Sequence, residues 1–167
     1  MADGNRQWLW IAGAAVAVTA ASFFVVRGVL RMSVLKHSPL PYQPKASDVR
    51  SPFGERISPI TGKLSGHNGV DLRGAIGDNV FAVFDGVVSF DDDDPHGAGG
   101  IQVIVTSDDG WRAGYSHLVV NTVDAGERVS AGDIVGGVGA TGEVTGPHLH
   151  FTLTNPKGQK VDPMLYL

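Results

Sequence analysis

Apolar and polar positions alternate strictly near the end of the chain. Leu149, Phe151 and Leu153 occupy the odd places, and His148, His150, Thr152 and Thr154 the even ones. A period of two predicts a strand with one face in a core and the other in water, so His148 and His150 share a face. Weaker forms of the pattern recur upstream. "NVFAVFDGVVSF" (79–90) reads as two short strands around Asp85-Gly86, and "IQVIVTSDDGWRAGYSHL" (101–118) as a hairpin around Asp108-Asp109-Gly110. "ERVSAGDIVGGVGATG" (127–142) breaks at glycine every few residues, which predicts short strands and tight turns. No stretch from residue 48 onward has helical periodicity. The predicted fold class is mostly β, an antiparallel sheet or sandwich over residues 48–167.

One segment departs from this pattern. "WLWIAGAAVAVTAASFFVV" (8–26) carries no charge after a short polar start, residues 1–7. At about 1.5 Å per residue it spans roughly 28 Å as a helix, close to the ~30 Å of a bilayer's hydrocarbon. It predicts a transmembrane anchor with the lipid bilayer as partner, Trp8 and Trp10 at one interface and Arg27 and Arg31 at the other. Signal cleavage after Ala20 is the competing reading, since small residues precede that point. Against it, Phe23–Val26 carry the apolar run past Ala20 to a full span. Residues 27–47, with prolines in "HSPLPYQPKASD", read as a semi-rigid spacer. His37 is expected to be a solvated residue of that spacer.

Charge sharpens the division. Residues 1–45 hold Asp3 against Arg6, Arg27, Arg31, Lys36 and Lys45, while the whole chain has a formal net charge of −4, so the β region is acidic. An acidic domain lacks the basic footprint of a nucleic-acid-binding protein. The chain has no cysteine, which excludes disulfides, thiolate metal sites and a thiol nucleophile.

Histidines carry the candidate chemistry. His67 and Asp71 stand in "GHNGVDL", where Gly69 lets an extended backbone curve so that the two converge; His117 ends the hairpin strand; His148 and His150 share a face. Imidazoles plus one carboxylate are what a zinc site without cysteine requires, and a catalytic zinc takes three protein ligands. Two histidines and an aspartate leave positive charge on the metal, and the remaining histidines titrate near neutrality. Spacing does not say which histidines bind and which move protons.

These motifs make the chain similar to the M23 family of zinc metallopeptidases, the LytM or lysostaphin-type domains that cut peptidoglycan peptides. The likeness runs from about Asp48 to the C-terminus through "RSPFGERISPITGKLSGHNGVDL", "GDNVFAVFDGVV", "YSHL", "ERVSAGDIVGGVGATGEVTGPHLHF" and "VDPMLYL". The resemblance implies an antiparallel sheet with a groove over it and one Zn2+ per domain. It implies His67, Asp71 and His150 as metal ligands, and His117 and His148 as the catalytic pair beside the attacking water. Thr152 stands where relatives often have glutamate. Tyr115 and Asn68 are candidates to line the substrate groove, against the plainer readings of packing for Tyr115 and a turn for Asn68. His96 and the Asp91–Asp94 run read as a solvated loop.

The expected function is a membrane-anchored zinc endopeptidase acting on peptidoglycan cross-links, with D-alanyl cross-links favoured over glycine bridges. The alternative is a non-catalytic envelope module that binds the wall or activates an amidase. A lipoyl- or biotinyl-type carrier is discarded, because no lysine lies between Lys63 and Lys157. The substrate places the domain on the periplasmic or outer side, or in a phage virion. The positive-inside count of Arg27, Arg31 and Lys36 points the other way.

Overall fold

Short runs of β-branched residues broken by glycine turns do form strands. The computed structural model describes residues 34–58 and 60–167. Its strands are β1 (Val49–Ser51), β2 (Gly54–Ile57), β3 (Leu64–His67), β4 (Val70–Leu72), β5 (Asn79–Phe81), β6 (Gly86–Asp92), β7 (Ile101–Thr106), β8 (Arg112–Asn121), β9 (Arg128–Val129), β10 (Ile134–Val138), β11 (Leu149–Thr154) and β12 (Lys160–Val161). Two 3-10 turns, Ala46–Asp48 and Pro163–Leu165, are the helical elements among the described residues. The predicted mostly-β antiparallel class is correct.

The main sheet runs β1-β4-β11-β8-β7-β6-β9, with β12 beside β11 and β10 bridging β8 and β5; β2 and β3 form a separate hairpin. All pairings are antiparallel among these strands. The hairpin expected around Asp108-Asp109-Gly110 is the β7–β8 pair. The two strands expected around Asp85-Gly86 exist, but β5 pairs with β10 and β6 with β7 and β9, not with each other. Local alternation finds strands; partners depend on apolar residues far away in sequence.

Leu149, Phe151 and Leu153 are fully buried with Val70, Leu72, Val103, Val105 and Ala113. The opposite face of β11 is not open to water as the alternation implies: Thr152 and Thr154 are buried too. β11 lies between β4 and β8, and Thr152 packs over Gly114.

The described part of the proline-containing stretch is no free spacer. Leu40 is 1% exposed and belongs to the core. The Lys36 and His37 N–H groups donate to the Val83 carbonyl (2.7 and 3.1 Å), and Phe81 N–H donates to Pro39 (3.0 Å). The His37 ring tilts against Phe81 at 5.1 Å between centroids. An apolar residue between prolines had a core to join, and that core exists only in the folded sheet. The transmembrane helix expected over 8–26 lies outside the described residues, among which no helix is long and apolar enough to cross a membrane.

Candidate active site

His67 ends β3 and Asp71 sits in β4, joined by a tight turn at Asn68-Gly69. Gly69 has a steric reason. A Cβ there would lie 2.5 Å from the Phe151 carbonyl oxygen and 2.9 Å from His150 Cε1, so only glycine lets the turn approach β11. Register then brings the third group in, because His150 of β11 lies directly opposite Asp71. Three atoms converge: His67 Nε2 is 3.2 Å from Asp71 Oδ1 and 3.1 Å from His150 Nδ1, and His150 Nδ1 is 2.8 Å from Asp71 Oδ1.

The outer ring nitrogens decide what these atoms are. His67 Nδ1 donates to the Pro52 carbonyl (2.7 Å), and His150 Nε2 donates to Asn68 Oδ1 (3.1 Å). Neutral rings so anchored turn lone pairs inward, giving two acceptor nitrogens and a carboxylate oxygen in mutual contact. Without a metal, hydrogen bonds from the two rings act on Asp71. Burial alone would raise that carboxyl, but bonds from His150 and His67 outweigh it and hold the group well below the usual carboxylate range. A divalent metal would satisfy the same atoms with both rings neutral. Tetrahedral ligands at about 2.0–2.1 Å stand roughly 3.3 Å apart, near the separations seen. His67, Asp71 and His150 therefore fit a zinc ion in number, chemistry and spacing.

His148 and His117 face the same place. His148 Nδ1 donates to Gly146 (2.8 Å), and its Nε2 lies 3.6 Å from Asp71 Oδ1. His117 Nδ1 donates to Thr141 (2.9 Å), and the two rings sit 4.9 Å apart between centroids. Burial, with the neighbouring His148, pushes the His117 imidazole down to about 4, so it is neutral at pH 7. His117 also has φ of +63°, rare for a residue with a side chain. It occupies a bulge where β8 turns from pairing β11 (Arg112–Ser116) to pairing β10 (Leu118–Asn121). Nothing in the local pattern marks that bulge.

All five groups border one cavity of about 270 Å³, whose rim adds Arg50, Arg56, Ile60, Glu143 and Thr145. Tyr115 is not in the groove. It is fully buried, its hydroxyl accepting from Val83 N–H (3.0 Å) and its ring against Phe151. Alternation along β8 turns it towards the core, and burial pushes its phenol upward. Asn68 is exposed beside the site, where it holds the outer nitrogen of His150. None of the five rim residues carries a motif signal in the sequence, Arg56 included.

Residues 65–163, which contain all five groups, match the model of peptidase family M23. The peptidoglycan DD-endopeptidase ShyA of Vibrio cholerae is 37% identical over 109 residues, 65% of this chain and 25% of that protein. The DD-carboxypeptidase/endopeptidase Mpg of Neisseria meningitidis is 36% identical over 116 residues, 70% of this chain and 26% of that one. The chain thus spans about a quarter of the length of these curated relatives. Among solved structures, a zinc-containing peptidase from Vibrio cholerae superposes with a TM-score of 0.66 at 30% identity, over 78% of this chain and 39% of that one. The catalytic domain of lysostaphin from Staphylococcus simulans gives 0.60 at 34% identity, over 70% and 88%. A family match over more than half the chain means that this chain belongs to peptidase family M23.

Proposed function

We propose that the protein is a zinc-dependent endopeptidase that hydrolyses peptide cross-links of peptidoglycan, with its β domain outside the cytoplasm and residues 8–26 as a membrane anchor. One observation carries the catalytic reading: three inward-facing acceptors suited to a divalent cation share a cavity with two further histidines. A module that only binds the wall has no need of that pair, which favours the enzyme over the alternative. The names of the relatives favour a DD cross-link as the substrate. The uncharged sequence of residues 8–26 favours the anchor.

His67, Asp71 and His150 would hold the zinc. When bound, zinc supplies Lewis acidity, lowering the pKa of a water and polarising a carbonyl. His117 is the general base. Its ring is neutral, its Nδ1–H is fixed by Thr141, and its Nε2 is left to take a proton from the attacking water. His148, fixed at Nδ1 by Gly146, presents Nε2 beside Asp71 and the developing charge. There, protonated at Nε2, it donates a hydrogen bond to the carbonyl oxygen, and the proton that His117 took from the water passes to the leaving amine. The bulge at His117 sets the two imidazoles facing one another.

The test uses the full chain in detergent, zinc-loaded, incubated with purified peptidoglycan with and without a chelator. Released peptides are identified by mass spectrometry. Chelator-sensitive release of peptides cut at a cross-link is the expected result. A folded, zinc-loaded protein that releases nothing from walls of several cross-link chemistries overturns the reading.

A further inference from the structure

Arg56 stands in β2 opposite Ser65 and lines the cavity. Its side chain is largely buried, and Nε and Nη1 are closed off from solvent with no hydrogen-bond partner among the described residues. The carboxylate facing it is Asp71, whose Oδ2 lies 3.9 Å from Nη2, beyond a hydrogen bond. A largely buried guanidinium held by one long ion pair, with two nitrogens lacking hydrogen bonds among the described residues, is costly in the free protein. The arginine is also poorly placed to serve the metal, since positive charge beside a cation site weakens it. Arg50 lines the same cavity and anchors itself through Nη1 to the Pro147 carbonyl (2.8 Å), and no carboxylate lies within 4.0 Å of it among the described residues. The one acidic side chain on the rim outside the donor set is the exposed Glu143. The cavity lining therefore carries two guanidinium groups, neither hydrogen-bonded to a carboxylate among the described residues.

Resting on the peptidase reading above, we propose that Arg56, with Arg50, binds a free carboxylate of the substrate and makes the enzyme selective for peptides that carry one beside the scissile bond. Chemistry says which side of that bond it lies on. The acyl residue's own carboxyl is consumed in the scissile amide, so the nearest free carboxylate belongs to the residue that leaves as the amine. Two substrates share this feature: a cross-link closed on the side-chain amine of a diamino-diacid, and a linear peptide whose final residue is released. Glycine bridges lack it at that position. A planar fork of N–H donors suits a carboxylate better than a lysine ammonium does. The carboxylate would meet Arg56 at Nη2, the guanidinium nitrogen that is not closed off from solvent.

The full-length zinc-loaded protein is given two pairs of synthetic peptides, one cross-linked through a diamino-diacid and one linear ending in D-alanine. Members of each pair differ only in a free carboxylate or a carboxamide on the amine-side residue. Wild type is expected to favour the carboxylate about tenfold or more in kcat/KM, as loss of a charge-assisted hydrogen bond predicts. Which pair shows the preference tells whether a cross-link or a chain end supplies the carboxylate. Arg56→Gln is expected to erase the preference through KM, with bound zinc unchanged, and Arg56→Lys to restore part of it. Equal wild-type rates on both members of both pairs overturn the subsite while leaving the peptidase reading intact. So does an Arg56→Gln protein that loses zinc and falls equally on all peptides, which makes the arginine a support for Asp71. If wild type cuts none of the peptides, the peptidase reading fails on these substrates, and binding then decides the subsite. In that case the arginine Nε–H NMR signals must shift with the carboxylate peptides and not with the carboxamides, and equal shifts overturn it.

Discussion

His150 shows how much one side chain can carry. Its Nδ1 touches both other donors, and its Nε2 is held by Asn68. His150→Ala and Asp71→Ala are each expected to lose bound zinc, read by atomic absorption, together with all turnover. His117→Ala is expected to keep zinc and lower kcat by about 10²–10⁴, the usual worth of a positioned general base. An alanine at 117 that turns over at the wild-type rate would remove His117 from the mechanism. The residue types of this site could be read from one sequence, since two histidines alternate on a strand and a third precedes an aspartate across a glycine. The division into ligands and proton carriers could not be. All four histidines are imidazoles with one nitrogen fixed by an oxygen acceptor, and only the direction of the other nitrogen sets His67 and His150 apart from His117 and His148. Arg56 carries no local signal, because an arginine in a short strand differs from any other only once two of its nitrogens lack hydrogen bonds among the described residues.

Two glycines test whether strand approach controls the chemistry. A methyl at Gly69 collides with Phe151 and His150, whereas one at Gly139 would lie 2.3 Å from Val119 N and 2.7 Å from the His117 carbonyl oxygen. Overpacking costs about 1–3 kcal/mol in either place, but the functional loss should differ. Gly69→Ala displaces a ligand strand, so its zinc affinity falls. Gly139→Ala presses on the β8 bulge, so zinc stays and turnover falls. Titration with zinc beside steady-state kinetics separates the two; equal zinc affinity in both variants would refute the distinction. Strands β7, β8 and β11 were legible from alternation and turn residues. The pairing of β5 with β10 was not, nor was the bulge that gives His117 its positive φ. Both depend on neighbours outside any local window.

The domain reaches further towards the N-terminus than the family motifs indicate. Leu40 enters the core and residues 36–39 hydrogen-bond to the sheet. Leu40→Ala should therefore cost about 2–5 kcal/mol in a denaturant melt, as for other core leucines. A change under about 0.5 kcal/mol would return this stretch to the role of spacer. Zinc should also stabilise the fold, because an ion that binds only the folded state raises Tm with its concentration. Scanning calorimetry at two zinc concentrations shows this, and an unchanged Tm would mean that the donor set holds no zinc. From composition and alternation alone came the mostly-β class, the acidic character of the domain, the apolar N-terminal segment and the residue types of a zinc site. Those properties are local, because a strand's faces follow from its own period and a ligand's chemistry from its own side chain. Tertiary structure alone decided which nitrogens turn inward, that Tyr115 is core, that Leu40 is part of the fold and that two nitrogens of Arg56 lack hydrogen bonds among the described residues. Each of those depends on which distant strand the chain folds against.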